Sequence, residues 1–277
     1  MTDHKRVART TDPGTVSPRG GAPRLLAVVA HPDDESFGCG SLLAHASRNG
    51  FDVTVCCATR GESGDPTPGS ITAGLDIAEV REAELYHAAD ILGVSTVHLL
   101  DFVDSGMSGE APDGSLCAAP PAAVTDAVAE VLASIRPHVV VTLDASDGHR
   151  DHAAIRDATL GAVRRGSVET LATYLWCLPR ELMQRWADLL AERDPDSDYL
   201  AFGALGTPAD EITTVIDTAA DLPVREAAMA AHRSQVSPYA ALPDDLRAAF
   251  LCTDRLKLVE PAWPGGEIET SLLGRLS

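Results

Sequence analysis

Leu25-Leu26-Ala27-Val28-Val29-Ala30-His31-Pro32-Asp33-Asp34-Glu35 joins an unbroken apolar run to a knot of titratable side chains. The run has strand length and does not alternate, as a strand covered by helices on both faces requires. Strand and helix patterns follow in turn downstream. Ser36–Asn49 reads as a helix that stops at Asn49-Gly50. Phe51–Ala58 reads as a second strand. Asp76–Leu92 sets Ile77, Val80, Leu85, Ala88 and Leu92 on one helical face, with Gly93 as its stop. Thr96–Leu100 is a third strand, Ala122–Ile135 a helix, His138–Leu143 a fourth strand and His152–Arg165 a helix. The alternation predicts an α/β fold with an open, mostly parallel sheet and helices on both faces. Thr170–Leu178 and Glu211–Ile216 read as further strands, and Arg180–Arg193 and Val224–His232 as helices. These either extend the sheet or build a small cap. Residues 1–23 are polar, rich in Pro and Gly and aperiodic, so a disordered tail is expected there. That leaves 24–277 as a single domain.

Composition narrows the function. A net charge of −19 over 277 residues speaks against nucleic acid or an anionic membrane as partner, since both call for a basic surface. No stretch of about 20 apolar residues is present to span a bilayer, and the N-terminus lacks the apolar core of a signal peptide. The 6 cysteines form no C-x-x-C pair, and Cys56-Cys57 lie within an apolar run. Buried free thiols in a reducing compartment, and hence a cytoplasmic protein, are expected. Oligomeric state cannot be read from the sequence.

In parallel sheets of this kind, ligands bind outside the carboxyl ends of the strands. Two polar clusters fall at such ends: His31–Glu35 after the first strand, and Asp144–His152 after the fourth. Together they can converge on a metal. His31, Asp34 and His152 supply two imidazoles and a carboxylate, the number of protein ligands that a hydrolytic zinc site uses while leaving a position open. One zinc ion per chain is the expected cofactor. Asp33 is then a spare carboxylate placed to take a proton from water, whose pKa zinc lowers to about 7. His149 can stabilise the developing oxyanion or protonate the leaving amine. Asp151 can orient a histidine ligand from behind.

Other readings of these residues exist. Asp34 can cap the helix that follows. Two histidines and a carboxylate also form the ligand set of mononuclear iron oxygenases, though those sites usually sit on β-barrel strands. A catalytically silent sugar-binding protein has no need of Asp33. Gly38-Cys39-Gly40 comes too long after the strand to be a dinucleotide phosphate turn and is better explained by close helix packing. His45, His87, His98 and His138 lie in apolar-periodic segments and read as structural. His4 lies in the tail. His232 reads first as a helix-end residue, with a place near the site as the alternative.

Ala30-His31-Pro32-Asp33-Asp34-Glu35 together with His149-Arg150-Asp151-His152 resembles the PIG-L/LmbE-like de-N-acetylase family, over roughly residues 25–260. Thr59-Arg60-Gly61-Glu62-Ser63-Gly64, Arg81-Glu82-Ala83-Glu84, Asp104-Ser105-Gly106-Met107 and His232-Arg233-Ser234-Gln235 resemble further segments of that family. The resemblance implies a Rossmann-like fold, a zinc cofactor and removal of acetyl from an N-acetylglucosaminyl amino sugar. It implies the same roles for His31, Asp33, Asp34, His149 and His152. By position it makes Arg81 and Asp104 contacts to sugar hydroxyls. The Asp104-Ser105-Gly106-Met107 loop tilts the resemblance toward the mycothiol branch, either precursor deacetylase or S-conjugate amidase. A deacetylase that tailors an antibiotic's N-acetylglucosamine is an open alternative. One departure stands out: mycothiol-branch deacetylases place a tyrosine two residues before the counterpart of His149, and this chain has Asp147.

Overall fold

A computed structural model describes residues 4–6, 21–64, 74–166, 168–272 and 274. Most of the tail expected over residues 1–23 lies outside the described residues. Within it, His4–Arg6 (β1) pairs antiparallel with Thr96–Leu99 (β4).

The remaining strands are Arg24–Val29 (β2), Asp52–Cys57 (β3), Val139–Leu143 (β5), Ala172–Trp176 (β6), Thr214–Asp217 (β7) and Thr253–Glu260 (β8). They form one 8-stranded sheet in the order β1-β4-β3-β2-β5-β6-β8-β7. The pairs from β4 through β6 are all parallel, and β1, β7 and β8 join antiparallel. The later strands thus extend the sheet.

The unbroken apolar run of β2 serves two cores. Leu25, Ala27 and Val29 face one hydrophobic cluster, built with Gly40–Arg48 (α1), Ile77–Leu92 (α2) and Leu222–Met229 (α6). Leu26, Val28 and Ala30 face a second, built with Pro121–Ile135 (α3) and Arg150–Arg164 (α4). Successive strand side chains point to opposite faces, so both sets must be apolar. A third cluster joins Arg180–Arg193 (α5), α6 and Asp244–Leu251 (α7) around Phe37, Met183, Leu246 and Phe250. No described helix is long and apolar enough to cross a membrane.

The chain order places the site. From β2 the chain moves outward through β3 and β4, then returns to set β5 on the other side of β2. The register pairs Leu25 with Val139 and Val28 with Thr142, so both strands end at the same rim. That rim is the switch point, where loops diverge and leave a crevice.

Two features depart from the sequence reading. Ser36–Asn49 is not one helix: Asp34–Gly38 forms a π turn, and α1 starts only at Gly40. The buried Arg225 guanidinium explains the break, because it takes the carbonyls of Ser36 (3.0 Å), Phe37 (2.5 Å) and Gly38 (2.5 Å) that a continuing helix would have used. Gly40 lets this arginine pass, since a Cβ there would lie 3.0 Å from Arg225 Cγ. The close packing expected of Gly38-Cys39-Gly40 is thus against an arginine at Gly40, while Gly38 lies against Leu143 and Trp176. In addition, α7 and β8 were not expected. β8 alternates buried Asp254, Leu256 and Leu258 with more exposed neighbours, a period-2 pattern masked by its charges.

Candidate active site

The first wall of the crevice is the turn after β2. Asp33 adopts φ 128°, ψ −27°, a conformation rare for a residue with a side chain. Its N–H donates to Glu35 Oε2 (2.9 Å). Its Oδ2 accepts from Arg81 Nη2 (3.0 Å), which also donates to the Pro32 carbonyl (2.6 Å). Arg81 Nη1 donates to the Gly61 carbonyl (2.8 Å). Gly61 has φ 68°, and any side chain there would strike the Arg81 guanidinium.

Asp34 turns the other way. Its Oδ2 accepts the N–H groups of Ala30 (3.1 Å) and His31 (2.8 Å), which precede it. The carboxylate therefore does not cap the following helix. Oδ1 is left facing His152 Nε2 at 3.3 Å, and Oδ2 lies 3.6 Å from His31 Nδ1. Two donors on a tetrahedral zinc at about 2.0–2.1 Å are about 3.3 Å apart. His31, Asp34 and His152 thus have the chemistry and spacing to hold a divalent cation.

The second wall is the loop after β5. His149 caps α4: its Nδ1 accepts the Asp151 N–H (3.2 Å), which leaves the ring proton of the neutral imidazole on Nε2. His149 packs edge-on to His31 and stacks on His152, each at 4.7 Å between ring centroids. Nitrogens of all three rings lie within 4.8 Å of one another. Gly148 (φ 87°) admits the sharp turn before the cap, with Phe202 closing over it 2.7 Å from where a Cβ would be. His152 Nδ1 meets Asp147 Oδ2 at 2.6 Å.

Asp151 and Asp104 stand behind His31. His31 Nε2 lies 3.1 Å from Asp151 Oδ2 and 3.5 Å from Asp104 Oδ1. Asp151 also accepts the Ser105 N–H (2.9 Å) and the Cys117 thiol (3.1 Å). Asp104 accepts the N–H of Gly106 (2.8 Å) and of Ser63 (3.3 Å). Arg150 grips the same loop through the carbonyls of Ser105, Gly106 (2.7 Å), Ser108 (3.3 Å) and Gly109 (2.9 Å).

These contacts set the charges. Burial pushes the Asp33 carboxyl up to about 6, with Arg81 opposing. Burial acts on Asp34 in the same sense, but His152 and His31 outweigh it and hold Asp34 well below the usual carboxylate range. Burial also disfavours the His31 cation, yet Asp104, Asp151 and Asp34 raise it to about 10. His149 is pushed down to about 4, first by burial and then by His31 and His152. It is the neutral imidazole of the group.

The structure thus gathers every residue singled out in the sequence at one rim. His31, Asp34, His149 and His152 meet directly, Asp104 and Asp151 lie behind His31, and Arg81 braces Asp33. Sequence reasoning left Glu35 without a role, favoured a helix-end role for His232, and missed Arg225 and Arg150. His232 Nε2 lies 2.6 Å from Glu35 Oε1, with both side chains sealed from solvent. No local pattern marks such residues, because their partners are far away along the chain. Only the place of Arg225 on the helix face of Leu222, Ala228 and Met229 offered a signal.

Comparison with known proteins bears on this arrangement. Residues 26–163 match the family described as PIG-L, GlcNAc-PI de-N-acetylase. A 1D-myo-inositol 2-acetamido-2-deoxy-alpha-D-glucopyranoside deacetylase from Kineococcus radiotolerans is 35% identical over 87% of this chain and 75% of its own. Among solved structures, a zinc-inhibited form of teicoplanin deacetylase is 21% identical with a TM-score of 0.57, covering 85% of this chain and 97% of the other. A 4-carboxy-2-hydroxymuconate hydratase from Pseudomonas putida KT2440 is 18% identical with the same TM-score of 0.57, covering 88% and 99%. The last two show that the fold is shared by enzymes of different chemistry, so fold alone does not name the reaction. The match along the sequence does name the kinship: the chain belongs to the PIG-L family of de-N-acetylases.

Proposed function

We propose that this protein is a zinc-dependent amidohydrolase that removes the N-acetyl group from an N-acetylglucosaminyl amino sugar. The observation that carries the reading is that Asp34 faces both His31 (3.6 Å) and His152 (3.3 Å), with His149 packed on both rings, at the switch point of the sheet. The named activity of the Kineococcus radiotolerans relative supports an amino-sugar glycoside as the substrate class.

His31, Asp34 and His152 would hold the cation. Bound there, zinc would act as a Lewis acid toward the acyl oxygen and would make water easier to deprotonate. Asp33, raised by burial to about 6 and braced by Arg81, is ionised near neutral pH and takes the proton from water as the water oxygen attacks the acetyl carbon. His149, neutral with its proton on Nε2, donates a hydrogen bond to the oxygen that gains charge. The C–N bond then breaks, acetate leaves, and the proton held by Asp33 passes to the amine. The family resemblance names Arg81 and Asp104 as contacts to the sugar hydroxyls; both side chains are buried here, Arg81 against Asp33 and Asp104 behind His31. Asp151 fixes His31 from behind.

The α/β sheet does not provide the barrel strands on which iron oxygenases usually carry their triad. A cytoplasmic setting is part of this reading, and all six cysteines are free. The test is to incubate the zinc-loaded protein with a panel of N-acetylglucosaminyl compounds, including the inositol glycoside and a mycothiol S-conjugate, and to measure acetate and free amine. Acetate release that vanishes in His152→Ala is the expected result. Amine release without acetate would move the reading to an S-conjugate amidase. Zinc and sugar binding without turnover would reduce it to a binding protein.

A further inference from the structure

Asp147 is the position at which this chain departs from its mycothiol-branch relatives, and its geometry gives it work to do. Asp147 Oδ2 lies 2.6 Å from His152 Nδ1, and Oδ1 accepts the His149 N–H at 3.1 Å. The positive φ of Gly148 (87°) turns the chain so that the carboxylate folds back over the first turn of α4. Both of its bonds exist only when that turn is formed. In neutral His152 with Nδ1–H donated to Asp147, the lone pair is on Nε2, the nitrogen that faces Asp34 Oδ1 at 3.3 Å.

From this we infer that Asp147 is a positioning residue for His152, fixing its tautomer and ring orientation and strengthening it as a donor to a divalent cation. The inference rests on His152 being a ligand, as proposed above. It completes a symmetry at the site: each imidazole of the ligand set has a carboxylate on its far nitrogen, Asp151 on His31 (3.1 Å) and Asp147 on His152 (2.6 Å). Such carboxylate–histidine–metal relays orient the ring and raise its basicity, and losing one typically costs about 10–100-fold in metal affinity or activity. A tyrosine at this position brings a neutral phenol, which cannot supply the charge.

The test is zinc affinity, read by competition with a chromophoric chelator on the metal-stripped full chain. Asp147→Ala is expected to bind zinc about 10–100-fold more weakly than the parent. Asp147→Asn is expected to lose less, because its amide oxygen still accepts the Nδ1–H but carries no charge. Circular dichroism of the metal-free proteins checks that each is folded, and the near-isosteric Asp147→Asn keeps the test alive if the alanine variant is not. At saturating zinc the KM for substrate is expected to stay at the parent value. Folded variants with zinc affinity within twofold of the parent would overturn the inference. A raised KM with unchanged zinc affinity would also overturn it, since Asp147 would then be a substrate contact. His152→Ala serves as the control: if it binds zinc as the parent does, the ligand set itself fails, a different outcome from failure of Asp147 alone.

Discussion

His232 and Glu35 face each other across nearly two hundred residues of chain, Nε2 to Oε1 at 2.6 Å, with neither side chain exposed. The other oxygen of Glu35 accepts the Asp33 N–H at 2.9 Å. The pair thus holds, from below, the turn that presents the proposed base.

Removing His232 leaves a buried carboxylate without its main partner. His232→Ala is expected to cost about 3–5 kcal/mol in urea unfolding near neutral pH. The loss depends on pH. Burial disfavours the His232 cation, but Glu35, Asp33 and Glu84 outweigh it and raise the ring's pKa. A raised histidine stabilises the fold fully below its unfolded value, about 6.5, and loses that contribution as pH rises through the folded value. The gap between parent and variant should therefore be widest below about pH 6.5 and narrow in alkali. A pH-independent gap would show that packing alone is responsible.

Arg81 offers a choice between two roles. The family resemblance gives it a sugar hydroxyl, whereas the structure spends its guanidinium on Asp33, Pro32 and Gly61. Arg81→Met is expected to lower kcat by about 100-fold, the scale of a misplaced catalytic group, with little change in KM. Steady-state kinetics on a cleaved amino sugar decide. A raised KM at near-parental kcat would return Arg81 to substrate binding.

Asp33→Asn should lower kcat by about 10²–10⁴-fold while zinc affinity is retained. The base must be ionised to work, so activity falls as pH drops through its pKa. Burial pushes that value up to about 6, and a bound cation pulls it lower. The acid limb of kcat/KM is therefore expected at or below about pH 6 in the parent and absent in the residual activity of Asp33→Asn.

Arg225 binds three carbonyls of the π turn from a fully buried position. Arg225→Met leaves those acceptors buried and unpaired, at about 1–3 kcal/mol for each such group. The thermal midpoint should fall by several degrees, and zinc affinity should fall with it, because the same turn carries Asp34. An unchanged midpoint would mean the turn holds its shape without the arginine.

Much of this was readable in the chain because it is local. The buried strand β2, the stop signals of α1 and α2 and the two polar clusters each show within a dozen residues. Strand ends then follow from the βαβ rule, and the site follows from the strand ends. What was hidden is what depends on distant partners. The π turn needs Arg225, nearly two hundred residues on. The brace under Asp33 needs His232. β8 went unseen because Asp254, Arg255 and Lys257 dilute its alternation, although Asp254 is buried by Trp176 Nε1 (2.8 Å) and Thr218 Oγ1 (2.8 Å). Asp147 was visible as a departure, but its partner His152 only emerges once the first turn of α4 is built.

The pairing of β2 with β5 also has a consequence for how the enzyme comes into being. Register partners such as Leu26 and Val140 lie 114 positions apart, and the site exists only after they meet. Contacts of such separation form slowly, since the entropy of closing the long loop is lost before the contact offsets it. The turn of β2 then waits further for α6 and for His232. During synthesis, therefore, a chain halted before those residues emerge carries all three proposed ligand side chains but no finished centre. Metal capture and hydrolytic competence should therefore arrive together, once α6 and His232 have docked under the turn.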